Sequence, residues 1–246
     1  MSGVSLNGTR LVQILVGLRA PDKPLPQLNL PEGRASAGRF SERLGQLIDF
    51  SDSIAISEAH GTGPARAFQA GTASTEDITG EFQRVRDSIA RSVTRSCTPG
   101  GGPSRVKLPL RSDLDFKEPA AAAGPYLKFY SAQQREIAHR VHNLTARIRQ
   151  DVAGLSPAMA RLVAVDTALG NTLAAHTRQY LAEIPALLAR HFEQVRRDNP
   201  GLPEAVLEQF CAQLRELLLA ELETRLLPAL GLIEAINENS DRKSYE

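Results

Sequence analysis

The second half of the chain carries a seven-residue apolar repeat, and this repeat limits the possible folds more than any other feature of the sequence. Apolar residues recur at spacings of three, four and seven, the a and d positions of one heptad register. This pattern is typical of long helices packed along a seam. It predicts a helix over about residues 126–152 whose seam contains Leu127, Tyr130, Ile137, Val141, Leu144, Ile148 and Leu155.

Two more long helices are expected after this one. The first of these is predicted to begin at Ser156 and Pro157, which suit an N-cap and a first helical residue. A Pro/Gly-rich segment at 199–203 is predicted to end it. Pro185 is expected to kink it midway, and Pro228 to kink the helix that follows. Short connections predict antiparallel neighbours. The predicted seam of the middle helix contains Met159, Leu162, Leu169, Leu173, Tyr180, Leu187 and His191.

The N-terminal part of the chain predicts shorter helices separated by Gly-, Pro- and Ser-rich segments. Ser74 and Asp77 have capping-box spacing, and a new helix cap is expected near Asp49. The whole chain is therefore predicted to be all-α. We expect an N-terminal region over 1–97, with helices at about 8–19, 37–59 and 74–96, followed by a flexible linker over 98–124. An elongated antiparallel three-helix bundle with coiled-coil-like helices is expected over 125–239, and a tail over 240–246.

Charge and cysteine content exclude several classes of protein. The net charge is +1, so the chain as a whole does not favour polyanions. Cys97 and Cys211 match no CxxC spacing, so no disulfide framework is expected. No signal peptide and no apolar run of membrane-spanning length is recognised. The chain is predicted to be cytoplasmic, without direct membrane insertion.

Charge also divides the predicted C-terminal helices. Residues 125–200 contain ten basic and six acidic residues, and residues 201–246 contain four basic and nine acidic ones. The acidic last helix is therefore expected to pair with the two helices before it, including with Arg140 and Arg147.

One spacing resembles half of a metal site. Glu136 and His139 form a Glu-x-x-His pair, with His142 a further three residues on, as in di-iron carboxylate bundles. Such a site needs a second copy of the pair, and no other Glu in the sequence has a His three residues later. We therefore predict a solvated helix face, with no metal and no cofactor.

Polar residues also interrupt the apolar seam of the predicted middle helix. Apolar residues are expected at three positions that are occupied by Asp166, His176 and His191. We interpret these as register residues, polar residues that fix how neighbouring helices align. Alternatively, the two histidines form a buried pH-sensitive pair. The candidate interaction or register residues are Tyr130, Ile137, Val141, Leu144, Asp166, His176 and His191.

No catalytic pattern is recognised. The cluster of Asp49, Asp52, Glu58 and His60 resembles a helix end, and no phosphate-binding loop, nucleophile elbow or HExxH motif occurs. No enzyme activity and no small-molecule substrate are predicted. An alternative function is nucleic-acid binding by the Arg-rich helix 126–152, although its cations do not form one stripe.

Three sequence blocks resemble a proteobacterial family of unknown function, DUF3348. They are Arg10-Leu11-Val12, the segment from Phe40 to Asp52, and Pro185-Ala186-Leu187-Leu188 with His191-Phe192-Glu193. The resemblance implies an accessory protein found near envelope components similar to outer-membrane-protein-A-like and proton-channel-like proteins, and it supplies no catalytic residues. We expect a non-enzymatic bacterial interaction or scaffold protein that binds a protein partner or itself through amphipathic helices, with a cytoplasmic adaptor role at an envelope-associated complex.

Overall fold

The regular structure of the described residues is helical. The computed structural model describes residues 9–18, 48–61, 68, 70–98, 107–110 and 123–244, and these ranges contain no strand. The predicted all-α class, a helical bundle with long helices, is confirmed. The described helices are α1 Arg10–Gly17, α2 Phe50–His60, α3 Thr75–Ser96, α4 Gly124–Ala153, α5 Pro157–Ala182, α6 Ile184–Asp198 and α7 Glu204–Ser244.

The described residues divide into two compact units. Unit 1 holds residues 9–18, 87–98, 107–110, 123–141 and 182–225, and unit 2 holds residues 48–61, 68, 70–86, 142–181 and 226–244. Each unit thus combines segments from before and after the predicted linker over 98–124. Most of that linker lies outside the described residues, but Leu108 within it is buried.

Two helices begin at reciprocal caps, as the sequence predicts. The Asp49 carboxylate accepts from the Asp52 amide at 2.8 Å, and the Asp52 carboxylate accepts from the Asp49 amide at 3.2 Å. Ser74 and Asp77 make the same exchange at the start of α3, at 3.1 and 3.2 Å. Both boxes satisfy amides that have no partner within the helix. Residues 37–47 of the predicted second helix lie outside the described residues.

Pro185 and Pro228, both expected to kink a helix, occupy different positions in the structure. The predicted long middle helix is interrupted at Glu183, so that Pro185 lies in the first turn of α6 rather than at a kink. A proline lacks an amide proton and clashes with the carbonyl one turn earlier, and the first turn avoids both costs. Around Pro228, by contrast, α7 continues without interruption and ends at Ser244, beyond the predicted limit at residue 239.

Unit 1 has a core of aliphatic and aromatic side chains from five helices. Arg10 pairs with Glu216 and, at 2.9 Å, with Glu223, which fixes α1 against α7. Leu11 and Leu15, on the buried face of α1, are 1% and 7% exposed. The other large buried residues of this core include Ile89, Val93, Tyr126, Phe129, Tyr130, Ile137, Ile184, Leu188, Phe192, Phe210, Leu214 and Leu218.

Unit 2 has its own core and one very close backbone contact. The Gly71 amide donates to the Gly154 carbonyl at 2.9 Å, and a Cβ placed on Gly154 would lie 2.9 Å from the Gly71 Cα. Only glycine allows two backbones to approach so closely. The buried core of this unit contains Ile78, Phe82, Leu144, Ile148, Val152, Val163, Leu181, Leu226, Leu232, Ile233 and Ile236.

Candidate functional site

Glu221 is a fully buried carboxylate in unit 1. It is 0% exposed, and four hydrogen-bond donors on three side chains surround it. Its Oε2 accepts from the Tyr130 hydroxyl at 2.8 Å and from the Gln134 amide at 3.1 Å. Its Oε1 accepts from Arg225 Nε at 2.8 Å and lies 2.7 Å from Arg225 Nη2. This arrangement compensates a buried charge fully, as burial of an ionised group requires.

The network acts on Tyr130 as well. Burial raises the pKa of the Tyr130 hydroxyl well above its ordinary value of 10.0, and the neighbouring Glu221 carboxylate raises it further. The hydroxyl therefore stays protonated and donates to Glu221. The hydrogen bonds of Tyr130 and Gln134 to Glu221 join α4 to α7, so we interpret the cluster as a structural link between these helices.

An aromatic cluster lies on another part of unit 1. The Tyr126 and Phe210 rings meet edge to face at 5.7 Å, and Phe192 lies 5.0 Å from Phe210. His191 stacks on Phe210 at 6.0 Å, and its Nε2 lies 2.8 Å from the Gln213 side-chain oxygen. His191, one of the residues predicted to set register, is thus half-buried and partnered across the α6–α7 turn.

Next to this cluster, unit 1 contains a cavity of about 340 Å³. One face of α7 forms one side of it, and Tyr126 with the segment around Leu108 forms another. The Tyr126 hydroxyl donates to the Pro109 carbonyl at 3.3 Å, which ties this segment to α4. The lining residues are Cys97, Leu108, Pro109, Leu110, Tyr126, Glu204, Leu207, Glu208, Cys211, Ala212 and Arg215.

The two cysteines both line this cavity, although they are far apart in sequence. Burial raises the pKa of the Cys97 thiol to about 12 even though the charge of Arg215 lowers it. Burial also raises the pKa of the Cys211 thiol to about 11, although hydrogen bonding with the Tyr126 side chain lowers it. Both thiols are therefore neutral at physiological pH and contribute apolar surface instead of a reactive thiolate.

Four predicted register residues lie on the buried face of α4. Tyr130 is 0% exposed, and Ile137, Val141 and Leu144 are buried with it in the cores. The chain's own fold therefore covers this face. Only Tyr130 has a polar role, as a donor to Glu221.

The other two predicted register residues lie on α5. Asp166 accepts from Arg149 Nε at 2.7 Å, which joins α5 to α4 within unit 2 and fits the predicted antiparallel pairing. His176 is exposed to solvent. His176 belongs to unit 2 and His191 to unit 1.

The carboxylates and histidines considered for metal binding or catalysis are exposed, except Asp52, which is half-buried. Glu136, His139 and His142 are exposed on α4. Asp49 and Asp52 cap α2, where Asp52 also accepts from Thr172 at 2.9 Å. Among the residues that the structure describes, no three His, Cys, Asp or Glu side chains are grouped as a metal site would require.

The arginines of α4 pair differently from the prediction. Arg147 lies 2.5 Å from Glu81 of α3, Arg140 donates to Ser88 of α3 at 2.9 Å, and Arg149 pairs with Asp166. The predicted pairing of Arg140 and Arg147 with the acidic last helix was therefore wrong. The total charge of a helix does not specify which helices are its neighbours. The partners of Arg140 and Arg147 are on α3.

Sequence reasoning missed Glu221 and the cavity. Glu221 lies between Ala220 and Leu222 in a Leu-rich stretch. A charged residue inside such an apolar run indicates that its side chain is buried and paired with another polar group. The cavity had no comparable signal, because its walls come from segments distant in sequence.

The fold and these sites define an all-α helical bundle protein with a buried ionic network. Within the part of the chain that is described, no helix has the length and apolar character needed to cross a membrane. The sequence model of the family described as "Protein of unknown function (DUF3348)" matches residues 4–238, and the chain belongs to this family. No curated protein and no solved structure gives a significant match.

Proposed function

We propose that the protein is a non-enzymatic interaction or scaffold protein that binds a protein partner through helix α5. The observation that supports this proposal is the contrast between two neighbouring helices. On α4, Tyr130, Ile137, Val141, Leu144 and Ile148 are all buried. On α5, which has 26 residues, only Val163 and Leu181 are buried.

The apolar seam predicted for α5 remains accessible. Leu162 is 37% exposed, and Met159, Leu169 and Leu173 are only partly buried. An amphipathic helix normally covers such a stripe, because burying a Leu side chain contributes about 1.5–3 kcal/mol. A partner helix laid along α5, from another protein or from a second copy, would complete this burial.

A finer proposal follows from the family. We infer a cytoplasmic adaptor that attaches to an envelope-associated complex, with α5 as the attachment face. The family resemblance and the accessible seam support this role.

The experiment is an affinity capture from the native host, combined with light scattering of the purified chain. Leu162→Glu places a charge on the α5 seam and is expected to reduce capture of the partner, or self-association, by at least about tenfold. Leu230→Glu is the matched control, because Leu230 is 36% exposed on α7 of the same unit. Equal binding by both variants and the parent chain would contradict the assignment to α5.

Nucleic-acid binding is the alternative function. It would use Arg135, Arg140, Arg147 and Arg149 of α4, but three of these side chains are engaged by Ser88, Glu81 and Asp166. Capture with and without nuclease separates the two functions. If the captured partner is lost on nuclease treatment and at raised salt, the result would favour nucleic-acid binding.

A further inference from the structure

The cavity of unit 1 has the size and lining of a small-molecule site. Its volume of about 340 Å³ lies within the usual range for ligand pockets. It has room for about ten groups the size of a water molecule or a methylene. Leu108, Tyr126 and Leu207 are buried in its walls, whereas Leu110, Glu204 and Glu208 are exposed. The apolar inner part therefore opens toward solvent on a side that carries charge.

Charge in the cavity is arranged along α7. Glu204 and Glu208 lie in the first turns of this helix, and Arg215 is the cation among the lining residues. Arg215 is seven positions after Glu208, which is about 10 Å along the helix axis. Between them the wall is apolar, formed by Cys211 and Ala212. The cavity thus has an acidic end and a basic end.

Arg215 is available to an anionic group. Its acidic neighbour Glu216 is 3.7 Å away, beyond hydrogen-bonding distance, and Glu216 also pairs with Arg10. A guanidinium binds a carboxylate through two parallel hydrogen bonds. Because Glu216 adjoins this cation, a singly charged head group suits the site better than a doubly charged one.

We propose that this cavity binds a medium-chain monocarboxylate, with its carboxylate on Arg215 and its chain against Leu108, Tyr126 and Leu207. The volume holds one such chain, and the neutral thiols of Cys97 and Cys211 extend the apolar wall. This site is separate from the proposed interaction face, because its lining residues belong to unit 1 and α5 residues 157–181 belong to unit 2.

Calorimetric titration of the full chain with sodium decanoate, below its micelle concentration, tests the proposal. Decanol and decylamine are the comparison ligands, with the same chain and a neutral or positive head. Decanoate is expected to bind on the order of tenfold more tightly than decanol, through the charge-assisted contact. Arg215→Met should remove this advantage and leave decanol binding unchanged.

Two variants make the test specific. Arg190→Met removes an exposed arginine of α6 outside the cavity lining and should leave decanoate binding intact. Ala212→Phe, at an exposed position of the wall, should narrow the cavity and weaken binding while the helical circular-dichroism signal is retained. No decanoate binding, a preference for decylamine, or an unchanged affinity in Arg215→Met would each overturn the proposal. Leu162→Glu should not affect decanoate, so the two proposals fail independently.

Discussion

At the scale of single residues, Glu221 is a buried charge that depends on its neighbours. Removing one partner of a buried ion pair leaves an uncompensated charge, which typically costs about 3–5 kcal/mol. We expect Glu221→Ala to lower the free energy of unfolding by about this amount, because Arg225 and Tyr130 both lose their acceptor. Urea unfolding measures the change.

Glu223→Ala is the matched control for this variant. Glu223 lies two residues away on the same helix, its side chain is 55% exposed, and it pairs with Arg10. Exposed pairs contribute only ~0–1 kcal/mol. Similar losses in the two variants would show that the Glu221 network has no special role in stability.

Two glycines are expected to respond in opposite directions to the same substitution. Gly154→Ala should destabilise the fold by about 1–3 kcal/mol, because the new methyl group would overlap the Gly71 backbone. Gly231→Ala should stabilise it by about 0.5–1 kcal/mol, because Gly231 lies in α7 with no atom within 4 Å of the added Cβ. Thermal melting compares the two, and a stabilising Gly154→Ala would mean that these backbones are not in contact.

At the scale of the helices, the two capping boxes predict a response to acid. Hydrogen bonding lowers the pKa of the Asp49 and Asp77 carboxyls below 3.8. The main cause is the bond from the Asp52 amide for Asp49 and the bond from the Ser74 hydroxyl for Asp77. Carboxyls with a lowered pKa stabilise the fold above their ordinary pKa, and this contribution is lost as pH falls through the lowered value. The starts of α2 and α3 should therefore fray at pH below about 3.8.

Backbone amide NMR signals of Asp52 and Asp77 report this titration directly. Asp49→Asn keeps a capping side chain that does not titrate. In that variant the Asp52 signal should no longer follow the titration of residue 49. An unchanged titration curve would mean that another group causes the effect.

Helix positions could be predicted from the sequence because they depend on local signals. The caps at Asp49 and Ser74 and the start of α5 at Ser156-Pro157 combine short-range spacing with known backbone preferences. The interruption at Glu183 and the unbroken course of α7 past Pro228 depend on tertiary packing. Local patterns do not contain that information.

At the scale of the whole molecule, three buried groups predict a loss of stability in alkali. Burial raises the pKa of Cys97 from 9.0 to about 12, that of Cys211 to about 11, and that of Tyr130 well above 10.0. The folded chain therefore keeps protons that the unfolded chain releases. This stabilising contribution is complete below pH 9 and is lost as pH rises toward 11 and 12.

Urea unfolding at a series of pH values above 8 should show the decline. The double variant Cys97→Ala, Cys211→Ala removes two of the three groups and should reduce the slope of stability against pH. An unchanged slope in the double variant would contradict the assignment to the thiols.

The candidate sites were less predictable than the fold. The heptad pattern identifies which residues of α4 are apolar and internal, but Ile137, Val141 and Leu144 are covered by the chain itself and are not available to a partner. The cavity depends on the approach of Cys97, which directly follows α3, to Tyr126 of α4 and Arg215 of α7. No spacing in the sequence specifies such a contact.

The pairing of Arg10 with Glu216 and Glu223 also affects how the protein is made. Ribosomes add about 5–20 residues per second, so α1 is synthesised roughly 10 to 40 s before its partners on α7. During this interval Arg10 lacks the carboxylates with which it pairs in the folded chain. A nascent chain must therefore keep α1 from aggregating until residues 216–223 have been translated, and a chain truncated before residue 216 would release α1 without its partners.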